Sequence, residues 1–96
     1  MLVLITYDVS TASSGGQKRL RRVSKICQNY GQRVQNSVFE CVVDATQFAI
    51  LKLKLLDVID KEQDSLRIYQ LGNNYKNKVE HVGLKEAIDL EGPLIM

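Results

Sequence analysis

Residues 2–8, Leu2-Val-Leu-Ile-Thr-Tyr-Asp8, constrain the fold more than any other stretch of the chain. The run is short, apolar and rich in β-branched and aromatic side chains, which predicts a buried strand. Leu2 and Leu4 point to one side of it and Val3, Ile5 and Tyr7 to the other, so both faces need cover. The strand ends on Asp8, and a carboxylate avoids such a place unless it is paired or binds something. Residues 9–16 are polar and glycine-bearing, and a helix dense in cations follows. A buried strand, a terminal acid, a loop and a basic helix together point to metal-assisted work on phosphate.

The rest of the chain alternates in period. Ser13-Ser14-Gly15-Gly16 supplies turn and N-cap chemistry for a helix over 17–30, where Leu20, Val23, Cys27 and Tyr30 recur at three- and four-residue steps beside Ile26. Gly31 stands where a left-handed cap is expected. Residues 32–43 alternate like a strand with a polar break at Gln35-Asn36-Ser37, which predicts a short strand, a tight turn or kink, and a main strand over 38–43. Asp44 and Thr46 mark a helix start, and 47–59 carries the apolar face Phe48, Leu51, Leu55, Val58 and Ile59. Residues 64–71 read as another strand, Gly72-Asn73-Asn74 as a turn and 79–82 as a last short strand. The fold class is therefore α+β, a ferredoxin-like βαββαβ arrangement in a single domain over 1–96.

In that arrangement the helices cover one sheet face, and an antiparallel sheet open to water should be polar on its second face. The first strand is apolar there too. In a chain of 96 residues the expected cover is a second copy, in a two-fold homodimer. The segment 83–96 serves as a dimerisation tail: its end, Glu91-Gly92-Pro93-Leu94-Ile95-Met96, is apolar enough to add a strand to the partner's sheet edge, and a disordered tail is the other reading.

Composition narrows the class. No apolar stretch approaches the ~20 residues needed to cross a membrane, and no basic leader precedes the first strand, so neither a membrane nor a secretory signal is expected. Cys27 and Cys41 lack metal or redox spacing, which points to free thiols in a reducing cytoplasm. The net charge is only +2, but five of the thirteen Lys and Arg fall between Lys18 and Lys25.

A single carboxylate organises Mg²⁺ poorly, since the ion takes about six oxygen ligands near 2.1 Å. A two-fold dimer would supply Asp8 twice, and a shared metal would then activate water and hold a scissile phosphate. The competing reading of Asp8 is a cap on the turn that follows it. At ~100° per residue, Lys18, Arg21, Arg22 and Lys25 share one solvent face, which fits either phosphate contact or a solvated surface. Arg19 falls within the arc of Leu20, Val23 and Ile26; there it meets a phosphate or bridges to Asp8. Arg33 is within reach of phosphate. Tyr7, Ser10 and Phe39 are candidates for support, with Tyr7 read as filling the dimer face and Phe39 as core or interface. Thr11, Ser13 and Ser14 are loop hydroxyls, Tyr75, Lys76 and Lys78 flank an exposed turn, and His81 is read as structural rather than as a general base.

Leu2-Val-Leu-Ile-Thr-Tyr-Asp8, Gln17-Lys-Arg-Leu-Arg-Arg22, Gly31-Gln-Arg-Val-Gln-Asn-Ser-Val-Phe-Glu-Cys41, Asp64-Ser-Leu-Arg-Ile-Tyr69 and Glu80-His-Val-Gly83, in this order, resemble the CRISPR-associated protein two family, the small adaptation protein that partners the CRISPR integrase. The Glu80-His-Val-Gly83 and Gly92-Pro-Leu-Ile95 endings resemble its type I-C branch. The resemblance implies a ferredoxin-like homodimer with a divalent metal, Mg²⁺ or Mn²⁺, near the two copies of Asp8. It implies an endonuclease on double-stranded DNA or single-stranded RNA, or a non-catalytic bridge that holds duplex DNA for the integrase. The family's motif arginines match Arg19 and Arg33 and its phenylalanine matches Phe39, while the serine- and glycine-rich loop leaves Arg22 as the alternative to Arg19. The combined expectation is a Mg²⁺-dependent endonuclease dimer on double-stranded DNA, with Asp8 as catalytic metal ligand and Lys18, Arg19, Arg21, Arg22, Lys25 and Arg33 on the nucleic acid. The rivals are the adaptor, a toxin-like ribonuclease and a small-molecule regulatory module.

Overall fold

A computed structural model describes residues 1–10, 12 and 15–83, and in it the elements run β1 (Leu2–Asp8), α1 (Gly16–Gln28), β2 (Gly31–Gln35), β3 (Val38–Val42), α2 (Ala45–Val58) and β4 (Ser65–Gly72). The four strands form one antiparallel sheet in the order β2-β3-β1-β4. Each βαβ unit is split by a strand from the other, which is the ferredoxin-like topology expected from the sequence. The most apolar strand, β1, is central, and it pairs Ile5 with Phe39 on one side and Ile68 on the other.

One sheet face carries the core. Val3, Ile5 and Tyr7 of β1 and Phe39 and Cys41 of β3 pack with Val23 and Cys27 of α1 and Leu51 and Leu55 of α2. The helix periodicity read from the sequence thus selects the buried residues. Helix α2 opens on a reciprocal capping box in which the Asp44 carboxylate accepts from Gln47 N at 2.7 Å and the Gln47 amide oxygen accepts from Asp44 N at 3.0 Å. Cys27 and Cys41 are both free and buried, and the Cys41 thiol lies 3.9 Å from the Cys27 carbonyl oxygen. Burial, with the neighbouring Cys41 adding to it, pushes the Cys27 thiol up to about 12; burial and then Glu40 push Cys41 up to about 11.

Several expectations need correction. Helix α1 starts behind Gly15 at φ 80°, with no side-chain cap, because glycine adopts the left-handed turn that a serine cap would not. Gly31 has no positive φ. It opens β2 instead, and glycine is required because a Cβ there would stand 2.0 Å from the Glu40 carbonyl oxygen of β3. Tyr7 lies beneath α1 rather than on the opposite sheet face, since it shares the alternation of Val3 and Ile5. Residues 79–82 form no strand: Val79 and Val82 are exposed, and the described sheet ends at β4. The tail from residue 84 onward lies outside the described residues.

The second sheet face alternates with the core. By that alternation it carries Leu4 and Thr6 of β1, Val38, Glu40 and Val42 of β3, and Arg67 and Tyr69 of β4. Leu4, Val38 and Val42 are only half-buried and Tyr69 is exposed. The face read as apolar on β1 is therefore mixed across the sheet, with Leu4, Val38 and Val42 beside Thr6, Glu40 and Arg67.

Candidate functional site

β1 delivers Asp8 to the end of the sheet, opposite Ser65 at the start of β4. The side chain is exposed, and it makes no hydrogen bond or ion pair with a described residue. The carboxylate is therefore open to solvent on the side of the described residues.

The backbone just beyond Asp8 is held in place by Asp64, whose carboxylate is fully buried in the turn before β4. Its Oδ1 accepts from Ser10 N at 3.1 Å and its Oδ2 from Asp60 N at 2.9 Å. Arg19 closes the arrangement with both forks, Nε on Oδ2 at 2.8 Å and Nη2 on Oδ1 at 3.3 Å. This is a bidentate, charge-assisted pair. Burial alone would raise the Asp64 pKa; the Arg19 hydrogen bond, with the Asp60 and Ser10 amides, outweighs it and holds the carboxyl below its ordinary value. The same hydrogen bond raises Arg19, against the opposing effect of burial. The expected bridge from Arg19 to Asp8 is thus made to Asp64, and Arg19 acts on the loop after Asp8 from within the fold.

The remaining cations of α1 are as expected. Lys18, Arg21, Arg22 and Lys25 are all exposed. α1 begins at the end of the sheet where β1 finishes, so this basic face starts beside the Asp8 loop. Arg33 of β2 joins it from across a notch. Its guanidinium lies 5.4 Å above the Phe39 ring and donates from Nη2 to Ser24 Oγ. Phe39 is itself core, stacked on Tyr7 with ring centroids 6.1 Å apart. The Tyr7 hydroxyl meets the same Ser24 oxygen at 3.3 Å, and Tyr7 N donates to the Ser37 carbonyl at 3.1 Å. Tyr7 and Phe39 are thus core residues that lie beneath Ser24 and Arg33.

Other candidates lie elsewhere. Lys76 and His81 are exposed, Tyr75 is half-buried, and Lys78 Nζ donates to the Leu71 carbonyl at 3.0 Å, stapling its own turn. Ser10 contributes through its backbone to Asp64; Thr11, Ser13 and Ser14 lie outside the described residues. The sequence reading missed Asp64 and Ser24. Asp64 stands before an alternating strand and reads as strand start, and only the inward phase of Arg19 asks for a buried acid. Ser24, in a basic helix, gives no signal at all.

The topology and this strand-end acid define a ferredoxin-like α+β protein with an anionic point beside a cationic helix. The family model of CRISPR associated protein Cas2 matches residues 1–79. The chain is 74% identical over 95 residues to a CRISPR-associated endonuclease Cas2 of Halalkalibacterium halodurans, covering 99% of each chain. It is 67% identical over 96 residues to a CRISPR-associated endoribonuclease Cas2 of Nitratidesulfovibrio vulgaris, covering 100% of this chain and 94% of the relative. The crystal structure of Streptococcus pyogenes Cas2 at pH 6.5 superposes with a TM-score of 0.76 at 53% identity, over 86% of this chain and 100% of that one. The chain belongs to the Cas2 family, whose relatives named here are nucleases of CRISPR systems. No helix among the described residues is long and apolar enough to cross a membrane.

Proposed function

We propose that the chain is a metal-dependent endonuclease of CRISPR adaptation that acts on double-stranded DNA as a homodimer. The observation that carries this reading is Asp8: an exposed carboxylate without a described partner, at the end of the most buried strand, with the loop behind it fixed by Asp64. Among the described residues no three His, Cys, Asp or Glu side chains gather to hold a metal ion. In this reading each chain offers Asp8, and a divalent cation, Mg²⁺ or Mn²⁺, is held when a second copy adds its own Asp8. When bound, such a cation supplies Lewis acidity toward a phosphate oxygen and makes water more acidic. The half-buried apolar residues of the second sheet face support the pairing of two copies.

In this reading Asp8 contributes the oxygen ligand, and Lys18, Arg21, Arg22, Lys25 and Arg33 attract and orient the phosphate backbone. Arg22 takes the place on the nucleic acid that Arg19 vacates for Asp64. No side chain is assigned as general base. The CRISPR integrase subunit would be the partner that uses the bound duplex. The reading as a single-stranded-RNA endonuclease is favoured by the name of the Nitratidesulfovibrio vulgaris relative. Asp8→Ala is expected to reduce Mg²⁺-dependent cleavage to background while leaving dimerisation and duplex binding in place. Cleavage at the parental rate would sink the catalytic reading in favour of the adaptor. Running both enzymes on duplex DNA and on single-stranded RNA decides the substrate.

A further inference from the structure

The second sheet face carries two opposite charges that do not meet within the chain. Glu40 of β3 and Tyr69 of β4 stand level on either side of Leu4 of β1, and Arg67 stands two residues away on β4, beside Thr6. Neighbouring strands lie ~4.8 Å apart, so β1 keeps the backbones of Glu40 and Arg67 roughly 10 Å apart or more. The Glu40 carboxylate makes no ion pair or hydrogen bond with a described residue, and it is half-buried on a face it shares with Leu4 and Val42. Arg67 leans along its own strand and donates from Nη1 to the Tyr69 hydroxyl at 3.2 Å. A partly desolvated carboxylate without a cation is costly, and covering the face raises that cost.

A second copy supplies the missing cation. Two sheets that pack face to face about a two-fold have that axis in the plane between them. β1 is central and ends on Asp8, so an axis running along β1 brings the two Asp8 together and keeps the sheets overlapped. An axis across the strands would do so only at the end of β1, where the sheets would slide off one another. Turning a copy about the first axis lays β3 of one over β4 of the other, with the faces ~10 Å apart. Glu40 then looks onto the partner's Tyr69 and the guanidinium beside it, and the symmetry makes the same contact a second time. A glutamate and an arginine reaching from opposite faces close such a gap.

We propose that Glu40 and Arg67 form an ion pair across the two-fold, twice per dimer, and that this pair decides which chains can join. The proposal rests on the homodimer reading above. Leu4, Val38 and Val42 supply apolar area, which is non-directional and accepts any chain with a similar strip. The charges are directional. The face is complementary to itself only when the acid on the β3 flank meets the base on the β4 flank, and a face with one sign of charge on both flanks repels its own copy. A chain of the same fold that lacks either residue leaves a charge of this one covered and unmatched.

The test uses Glu40→Arg and Arg67→Glu as full chains, made separately and followed by sedimentation over a range of concentrations. Alone, each variant presses like charges together twice, and its dimer should dissociate at least about a hundredfold more readily than the parent's. In an equimolar mixture of the two variants both contacts become attractive, so a heterodimer should form with close to the parental affinity. Variants that each dimerise like the parent would overturn the pair and leave the homodimer standing. Two weakened variants that do not recover on mixing would overturn it as well. A monomeric parent would remove the homodimer reading and the pair with it. Where a reversal unfolds the chain, as read by far-UV circular dichroism, Glu40→Gln and Arg67→Gln replace it, since they introduce no charge. Their effects on dimer dissociation should combine to less than their sum, and strictly additive effects would overturn the pair.

Discussion

Asp64 is the residue on which the placement of Asp8 depends, because it joins the loop after β1, the first turn of α1 and the turn before β4 through one buried carboxylate. Asp64→Asn keeps the shape but cannot match the full charge of Arg19, so it should lower Tm by roughly 5 °C or more. Arg19→Ala should do the same, and the two together should cost less than their sum. The pH dependence follows from the depressed carboxyl. Its stabilisation is complete above the unfolded carboxylate range near pH ~4, and is lost as pH falls through the lower folded value. Asp64→Asn should therefore flatten the acid limb of a stability profile measured by thermal melts from neutral pH downward. An unchanged acid limb would show that Asp64 does not carry it. The inward phase of Arg19 makes a buried partner legible; the choice of Asp64 over Asp8 is not, because that depends on how the turn before β4 folds back.

The elements are the most legible level, since the period of apolar residues in α1, α2 and β1 is also their packing. Their ends are less so. Gly31 has the position of a cap, and the sequence holds no mark of the close approach of β3 that demands a glycine there. The stretch 79–82 has the composition of a strand and no sheet edge among the described residues to join. For α1, the face made by Lys18, Arg21, Arg22 and Lys25 follows from helical spacing alone and is exposed as a block. Replacing these four cations with glutamine should weaken duplex binding to a similar degree across sequences. For every phosphate that is no longer neutralised, the slope of log K against log salt should also become shallower by about 0.9. A slope identical to the parent's would return α1 to an ordinary solvated face.

At the scale of the whole molecule, the doubly apolar β1 forecasts both the central position of that strand and an uncovered second face. It misassigns which side Tyr7 takes, because alternation fixes two sets of residues without saying which set the helices cover. Sedimentation of the purified chain at micromolar concentration should give a single species of twice the monomer mass. A stable monomer would leave Asp8 a solitary ligand and remove the shared cation from the proposal. The same closed interior has a practical side. Both native thiols are shut inside and held protonated well above physiological pH. A cysteine introduced on the surface would thus be the one that a maleimide dye reaches, and distances across an assembly could be measured on the chain without first removing its own cysteines.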